Sequence, residues 1–216
     1  MIQAFIAATL IAATYPSSRH FVYGFTIATD ASPASGGERR SDTGEIQVDV
    51  VSFQSDTGTV VRVSEQSHAR AGPQSSTCVV YGTGLVQCDA IANVTVEEMS
   101  LLRMLGRNFL NWGEIDNQRS WRNGAFDGRA REANDYRIVG EANGEFEIVY
   151  ERDLNVPGMD GFVSTTKGRL TYNQERSAPT SLTQETITKP QGGDRSPIVE
   201  DLTLTLRGDS LVGTRV

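Results

Sequence analysis

The sequence predicts a mainly β, α+β domain, with about ten antiparallel strands forming a curved sheet or half barrel packed on one amphipathic helix. Three observations lead there. Apolar and polar residues alternate along most of the chain, at the period of two that a half-buried strand requires. Turn residues separate these runs at hairpin spacing, as Gly82-Thr83-Gly84 and Asn143-Gly144 do. A single segment, from Thr95 to Phe109, sets its apolar residues at helical spacing.

The N-terminus opens MIQAFIAATLIAATYPSSRH. Its apolar run from Ala4 to Ala13 is too short for a membrane span and matches the core of a signal peptide, although no basic residue precedes it. Residues 1–16 therefore read as a candidate signal peptide or N-terminal apolar segment, and 17–216 as one β-rich domain. The strands begin with FVYGFTIAT, Phe21 to Thr29, which places Phe21, Tyr23, Phe25 and Ile27 on one side. A Ser-, Pro- and Gly-containing loop is expected from Asp30 to Thr43. Glu45 to Phe53 and Thr59 to Glu65 then form a hairpin about Ser55-Asp56-Thr57-Gly58.

The next hairpin, TCVVYGTGLVQCD, holds the two cysteines of the chain. Folded about its centre it pairs Tyr81 with Leu85, Val80 with Val86 and Cys78 with Cys88. Gly84 takes the left-handed position that a three-residue loop requires. Counting outward, Cys78 and Cys88 fall on a non-hydrogen-bonded pair with Cα atoms about 4.5 Å apart, within reach of a disulfide. A zinc site would need both histidines, His20 and His68, which lie far apart in the chain, and a redox pair would read Cys-x-x-Cys. A disulfide implies an oxidising, extracytoplasmic compartment, secreted or periplasmic.

Thr95-Val96-Glu97-Glu98 has the capping-box pattern. Met99, Leu102, Leu105 and Phe109, joined by Leu101 and Met104, form an apolar stripe, while Glu97, Glu98, Arg103 and Arg107 are expected to face water. The helix is expected to end between Asn111 and Gly113. Glu114 to Asn134 is polar, with Trp112 and Trp121 as its anchors. Tyr136 and Ile138 alternate toward the Asn143-Gly144 turn and Phe146, Ile148 and Tyr150 alternate away from it. A loop from Asp153 to Gly161 precedes three Thr-rich strands, Phe162 to Tyr172, Ser181 to Thr188 and Asp201 to Leu206.

Composition narrows the function. Net charge is −7 and the basic residues are dispersed, which argues against nucleic acid as a partner. No histidine sits in a setting suited to a nucleophilic triad, so no catalytic residue, metal ligand or cofactor is assigned. Glu145, Glu147, Glu151, Asp153 and Asp160 would be the carboxylates of a glycan hydrolase, but Glu145 and Glu147 alternate with Phe146 and Ile148 as the solvent face of a strand does.

In length, in its long antiparallel strands and in its internal helix, the chain resembles the periplasmic lipoprotein-carrier architecture, the open β-barrel of the LolA and LppX kind. The stapled hairpin together with VTVEEMSLLRMLGRNF is also similar to exported bacterial β-rich proteins of unknown function. The likeness is one of element order, and those carriers use several helices as a lid where this chain has one. It implies a half barrel whose cavity takes an apolar chain, and it assigns no residues. From the strand and helix patterns, Val48, Val50, Val80, Val86, Leu102, Leu105, Phe109 and Ile148 are expected to line the interior. The expected function is a non-enzymatic extracytoplasmic binding or carrier domain for an apolar, lipid-like small molecule. The alternative is a structural or protein-interaction protein of the cell envelope with an envelope protein as partner, and a more remote one is a carboxylate-dependent glycan hydrolase.

Overall fold

The computed structural model describes residues 19–31, 39–54, 58–70, 72, 74–126, 128–158, 161–192 and 196–211. The expected leader, 1–16, lies outside them. The strands are β1 (Arg19–Asp30), β2 (Arg39–Gln54), β3 (Gly58–Ser67), β4 (Gln74–Val80), β5 (Val86–Cys88), β6 (Ser120–Phe126), β7 (Arg131–Ala142), β8 (Glu145–Val156), β9 (Phe162–Asn173), β10 (Ala178–Pro190) and β11 (Ile198–Leu211). All eleven join one antiparallel sheet in the order β5-β4-β3-β2-β1-β11-β10-β9-β8-β7-β6. The order is linear, so the sheet is open and curved, not a closed barrel. Two meanders run outward from its centre, where β1 pairs with β11, Phe25 opposite Leu204.

The link between the meanders, residues 89–119, leaves one edge of the sheet at β5 and reaches the other at β6. On the way it lies on the concave face, where the inward residues of every long strand converge. Tyr23, Ile46, Val48, Val63, Ile148, Leu170, Leu182 and Leu204 are all buried there with Leu101 and Leu102 of the link. This placement follows from alternation, since one face of each strand is apolar and only one side of a single sheet can be covered by so short a segment.

The link differs from the long helix expected of it. Its helix α1 (Val96–Leu102) spans only 7 residues. The capping box forms as predicted, with Thr95 Oγ1 accepting from the Glu98 amide and the Glu98 carboxylate accepting from the Thr95 amide. Beyond Leu102 the bonds tighten to Met104 N–H to Leu101 C=O and Leu105 N–H to Leu102 C=O. Gly106 then takes φ +96° and donates to the Ser177 carbonyl in the β9–β10 turn. The tertiary anchor thus replaces the next helical turn. Leu105, Phe109 and Leu110 still reach the core, but from turns. Glu97 and Glu98, expected in water, are buried beside Arg70, and Arg103 is largely covered where it pairs with Glu132.

Other boundaries moved outward. β2 begins within the loop expected from Asp30 to Thr43, and β8 runs through the first part of the loop expected from Asp153 to Gly161. The polar stretch after Trp112 yields β6, held by Trp121 stacked on Tyr136 at 5.0 Å. The Asn143-Gly144 turn is as read, both residues having positive φ, 53° and 76°.

Cys78 and Cys88 are disulfide-bonded across paired β4 and β5, and Gly84 has φ +84°. The Gly84 backbone lies so close to Asn123 of β6 that an added Cβ would sit 2.9 Å from the Asn123 side-chain oxygen. The stapled tip therefore brings one sheet edge against the other. Replacing both cysteines by alanine is expected to lower stability by about 2–3 kcal/mol. Urea unfolding would show this as a lower midpoint at unchanged slope, and a shift equivalent to under about 0.5 kcal/mol would contradict it.

Candidate functional site

One end of the concavity is filled and the other is not. In the filled end, Phe109 meets the rings of Trp121, Tyr136 and Tyr172. Strand register then sets the composition of successive rows across β8, β9, β10 and β11. Ile148, Leu170, Leu182 and Leu204 form an aliphatic row. Two residues further on, Tyr150, Gly168, Gln184 and Leu202 follow, where the Tyr150 hydroxyl donates to Gln184 and the Gln184 amide donates to Ser100 of α1. The next row is Arg152, Thr166, Thr186 and Glu200, and the outer one Leu154, Ser164, Thr188 and Ile198.

The last two rows, apart from the covered Thr166, are the floor of a cleft of about 380 Å³. Its roof is the start of the link, Ile91, Val94, Thr95, Val96, Met99 and Arg103, and Phe162 closes one side. Apolar side chains supply most of the wall. A second hollow of about 340 Å³ shares Ile91, Met99, Arg103 and Leu154 and continues to Val86 and Ala125 at the seam between the sheet edges. Two hollows of about 510 Å³ differ in place: one is separate from the cleft, and the other adjoins it through Val94, Thr95, Val96 and Glu200. They are lined largely by polar and charged groups, including Glu45, Gln66 and Arg207 in one and Asp42, Arg70 and Glu97 in the other, so an apolar chain has less reason to leave water there.

Charge within the cleft is unevenly satisfied. Arg103 donates to the Glu132 carboxylate at 2.8 Å. Burial, and then the neighbouring Arg152 guanidinium, lower the affinity of Arg103 for its proton relative to an ordinary arginine. Arg152 is buried at 8% exposure and donates to the Thr166 hydroxyl at 3.0 Å, and Thr166 in turn bonds Thr186 at 3.0 Å. Among the described residues no carboxylate lies within ion-pair distance of Arg152. Glu200 has a buried oxygen, Oε1, without a hydrogen-bond partner among the described residues. Burial, and then Glu97, raise the Glu200 carboxyl above its ordinary value, with Arg152 opposing.

Of the residues expected to line the interior, Val86 lies on the wall of the second hollow. Val48, Val50, Val80, Leu102, Leu105, Phe109 and Ile148 are buried in the packed core, away from the cleft wall. Sequence reasoning passed over Arg152, although the parity of β8 signals it: Phe146, Ile148 and Tyr150 face inward, so Arg152 must too. The carboxylates weighed for glycan hydrolysis face the other way. Glu147 pairs with Arg169 at 2.8 Å, Glu151 with Lys167 at 3.6 Å, and Asp153 accepts from Thr165 at 2.9 Å, while Asp160 lies outside the described residues.

Among the described residues no helix is long and apolar enough to cross a membrane. No protein-family model matches the chain, and no curated protein matches it in sequence. In structure it is similar to lipovitellin, in a structure described as lipid–protein interactions in lipovitellin, with TM-score 0.55 and 14% identity. The likeness covers 92% of this chain and 26% of the lipovitellin chain, so this chain spans about a quarter of that one. What the two share is a fold.

Proposed function

We propose that the chain is a non-enzymatic, extracytoplasmic binding or carrier domain for an apolar, lipid-like ligand. The observation that carries this reading is the cleft between the link and the sheet floor, in which Val94, Val96, Met99, Leu154, Phe162 and Ile198 form an apolar wall open to solvent. Its volume falls in the range typical of small-molecule sites. Apolar surface held open to water is costly to maintain, and a ligand that covers it is favoured by the area it removes from water. Two further points support the reading. The open sheet with a helical segment in its concavity fits the lipoprotein-carrier architecture that the sequence resembles, and lipovitellin, whose fold is similar, is described by its lipid–protein interactions. The disulfide is compatible with an oxidising compartment.

The test is uptake of the neutral fluorophore N-phenyl-1-naphthylamine, together with native mass spectrometry of the protein from its producing cells. Saturable uptake is expected, and so is an adduct of a few hundred daltons that extracts into organic solvent. Met99→Trp, which puts a larger side chain between both hollows, is expected to weaken uptake about tenfold or more, because the indole occupies volume that the fluorophore would fill. Absence of saturable uptake and of any adduct would overturn the reading. In that case the envelope-interaction alternative gains, through the exposed Phe126 on edge strand β6.

A further inference from the structure

The cleft is not uniformly greasy, and what interrupts it defines the head of its occupant. A guanidinium offers five N–H donors, and burying one without an anionic partner is unfavourable unless something supplies acceptors. Arg152 has one neutral hydroxyl acceptor, Thr166, at the floor of an apolar cleft. Arg103, on the roof, already holds Glu132, and its proximity to Arg152 adds a second positive charge at the same place. Across the same row, on β11, Glu200 keeps a buried oxygen without a hydrogen-bond partner among the described residues. Among the described residues, the inner end of the cleft thus offers Arg152 one neutral acceptor and no carboxylate within ion-pair distance, and leaves a Glu200 oxygen without a hydrogen-bond partner.

We propose that the occupant is a single-chain amphiphile with a carboxylate head, the carboxylate accepting from Arg152 and the chain lying along Val96, Met99, Leu154, Phe162 and Ile198. This rests on the reading that the cleft takes an apolar ligand, and it names the ligand's class. The carboxylate supplies the oxygens that Arg152 lacks, in the planar geometry a guanidinium matches best. Burial raises the Glu200 carboxyl above its ordinary value, and where it carries a proton it can donate to the same carboxylate. Glu97, which also faces Glu200, shifts it in the same direction. The volume, about 380 Å³, lies at the small end for ligand sites and suits one chain better than several. A quaternary ammonium head would meet two arginines and be repelled.

Competition against bound N-phenyl-1-naphthylamine tests this, with dodecanoate, dodecanol and dodecyltrimethylammonium as chains of equal length and different heads. On the wild-type protein dodecanoate is expected to compete about tenfold or more better than dodecanol, and dodecyltrimethylammonium worst. Arg152→Met is expected to abolish the preference for dodecanoate while dodecanol binds within about twofold of wild type. The wild-type ranking needs no variant, so the proposal stays testable if Arg152→Met folds poorly. Equal competition by dodecanoate and dodecanol, or a preference that survives in Arg152→Met, overturns the carboxylate head and leaves the apolar-ligand reading standing. If the fluorophore does not bind at all, the apolar-ligand reading itself fails.

Discussion

Replacing Arg70 by methionine is expected to destabilise the fold by about 3 kcal/mol at pH 8 and by less at pH 5. The reason is the group of acids it serves. Arg70 pairs with Glu65 at 2.8 Å, with Asp42 at 3.4 Å and with Glu97 at a shorter contact still. Glu65, Glu97 and Glu98 are all buried where the start of α1 meets β3. Breaking a fully buried pair costs about 3–5 kcal/mol, and the lower end applies because the Arg70 side chain is 40% exposed and partly screened by water. Methionine keeps much of the side-chain length, so the loss reports charge more than packing.

The pH dependence follows from two of these acids. Burial, with help from Glu97, lifts the Glu65 carboxyl to about 6, against a hydrogen bond from Thr95 and the charge of Arg70. Burial, with Glu65 and Glu97, lifts Glu98 to about 7, against the Thr95 amide and Arg70. Both exceed the unfolded value of 4.5, so between roughly pH 4.5 and 7 the folded protein binds more protons than the unfolded chain. Stability from these two groups is therefore full below about pH 4.5 and is lost as the pH rises through 6 and 7. Asp42, Asp89 and Asp116 are shifted the other way and supply stability above their unfolded value of 3.8, lost on further acidification. Urea midpoints between pH 4 and 8 should fall toward pH 8 in the wild type. They should fall more steeply in Arg70→Met, where the guanidinium no longer opposes the mutual repulsion of the acids. A constant difference between the two proteins across this range would show that Arg70 acts through packing alone.

How much of this could be read beforehand depended on whether the information was local. The period of two, the Asn143-Gly144 turn, the Cys78–Cys88 register and the Thr95 capping box each depend on residues close in sequence, and each is found in place. The sheet order was not legible in this way, because β1 meets β11 through a pairing of high sequence separation that no turn dictates. The same holds for the end of the helix. Leucine and methionine favour continuing it, but Ser177, some seventy residues away, takes the Gly106 amide. Glu97 and Glu98 looked solvated because Arg70, their partner, belongs to another part of the chain. The packed core was legible as a set of apolar faces, but not which end of it would stay open. That follows from where the link crosses and from the Thr, Arg and Glu rows that register assembles across four strands.

Phe109→Ala is expected to cost about 4 kcal/mol. Phe109 is 3% exposed, although it lies in turns beyond α1, and it reaches the filled end of the concavity as the centre of an aromatic group. Its ring stands edge-on to Trp121 at 5.8 Å and to Tyr136 at 5.3 Å, and is tilted against Tyr172 at 5.0 Å. Truncation removes a large buried side chain and leaves a cavity. It also removes the ring pairs, worth about 0.5–1.5 kcal/mol each beyond the area they bury. Collapse around the void is resisted because Tyr172 is tied through its hydroxyl to the Gly106 carbonyl at 2.7 Å, and Trp121 is stacked on Tyr136. Phe109→Leu, which keeps more of the volume and loses the ring pairs, should cost about 1.5–2 kcal/mol. The measurement is urea unfolding followed by Trp121 fluorescence in a Trp112→Phe background, so that the exposed indole does not contribute. A loss below about 1 kcal/mol for Phe109→Ala would mean that the link is not anchored at this end. The open cleft would then have no packed counterpart holding its roof in position.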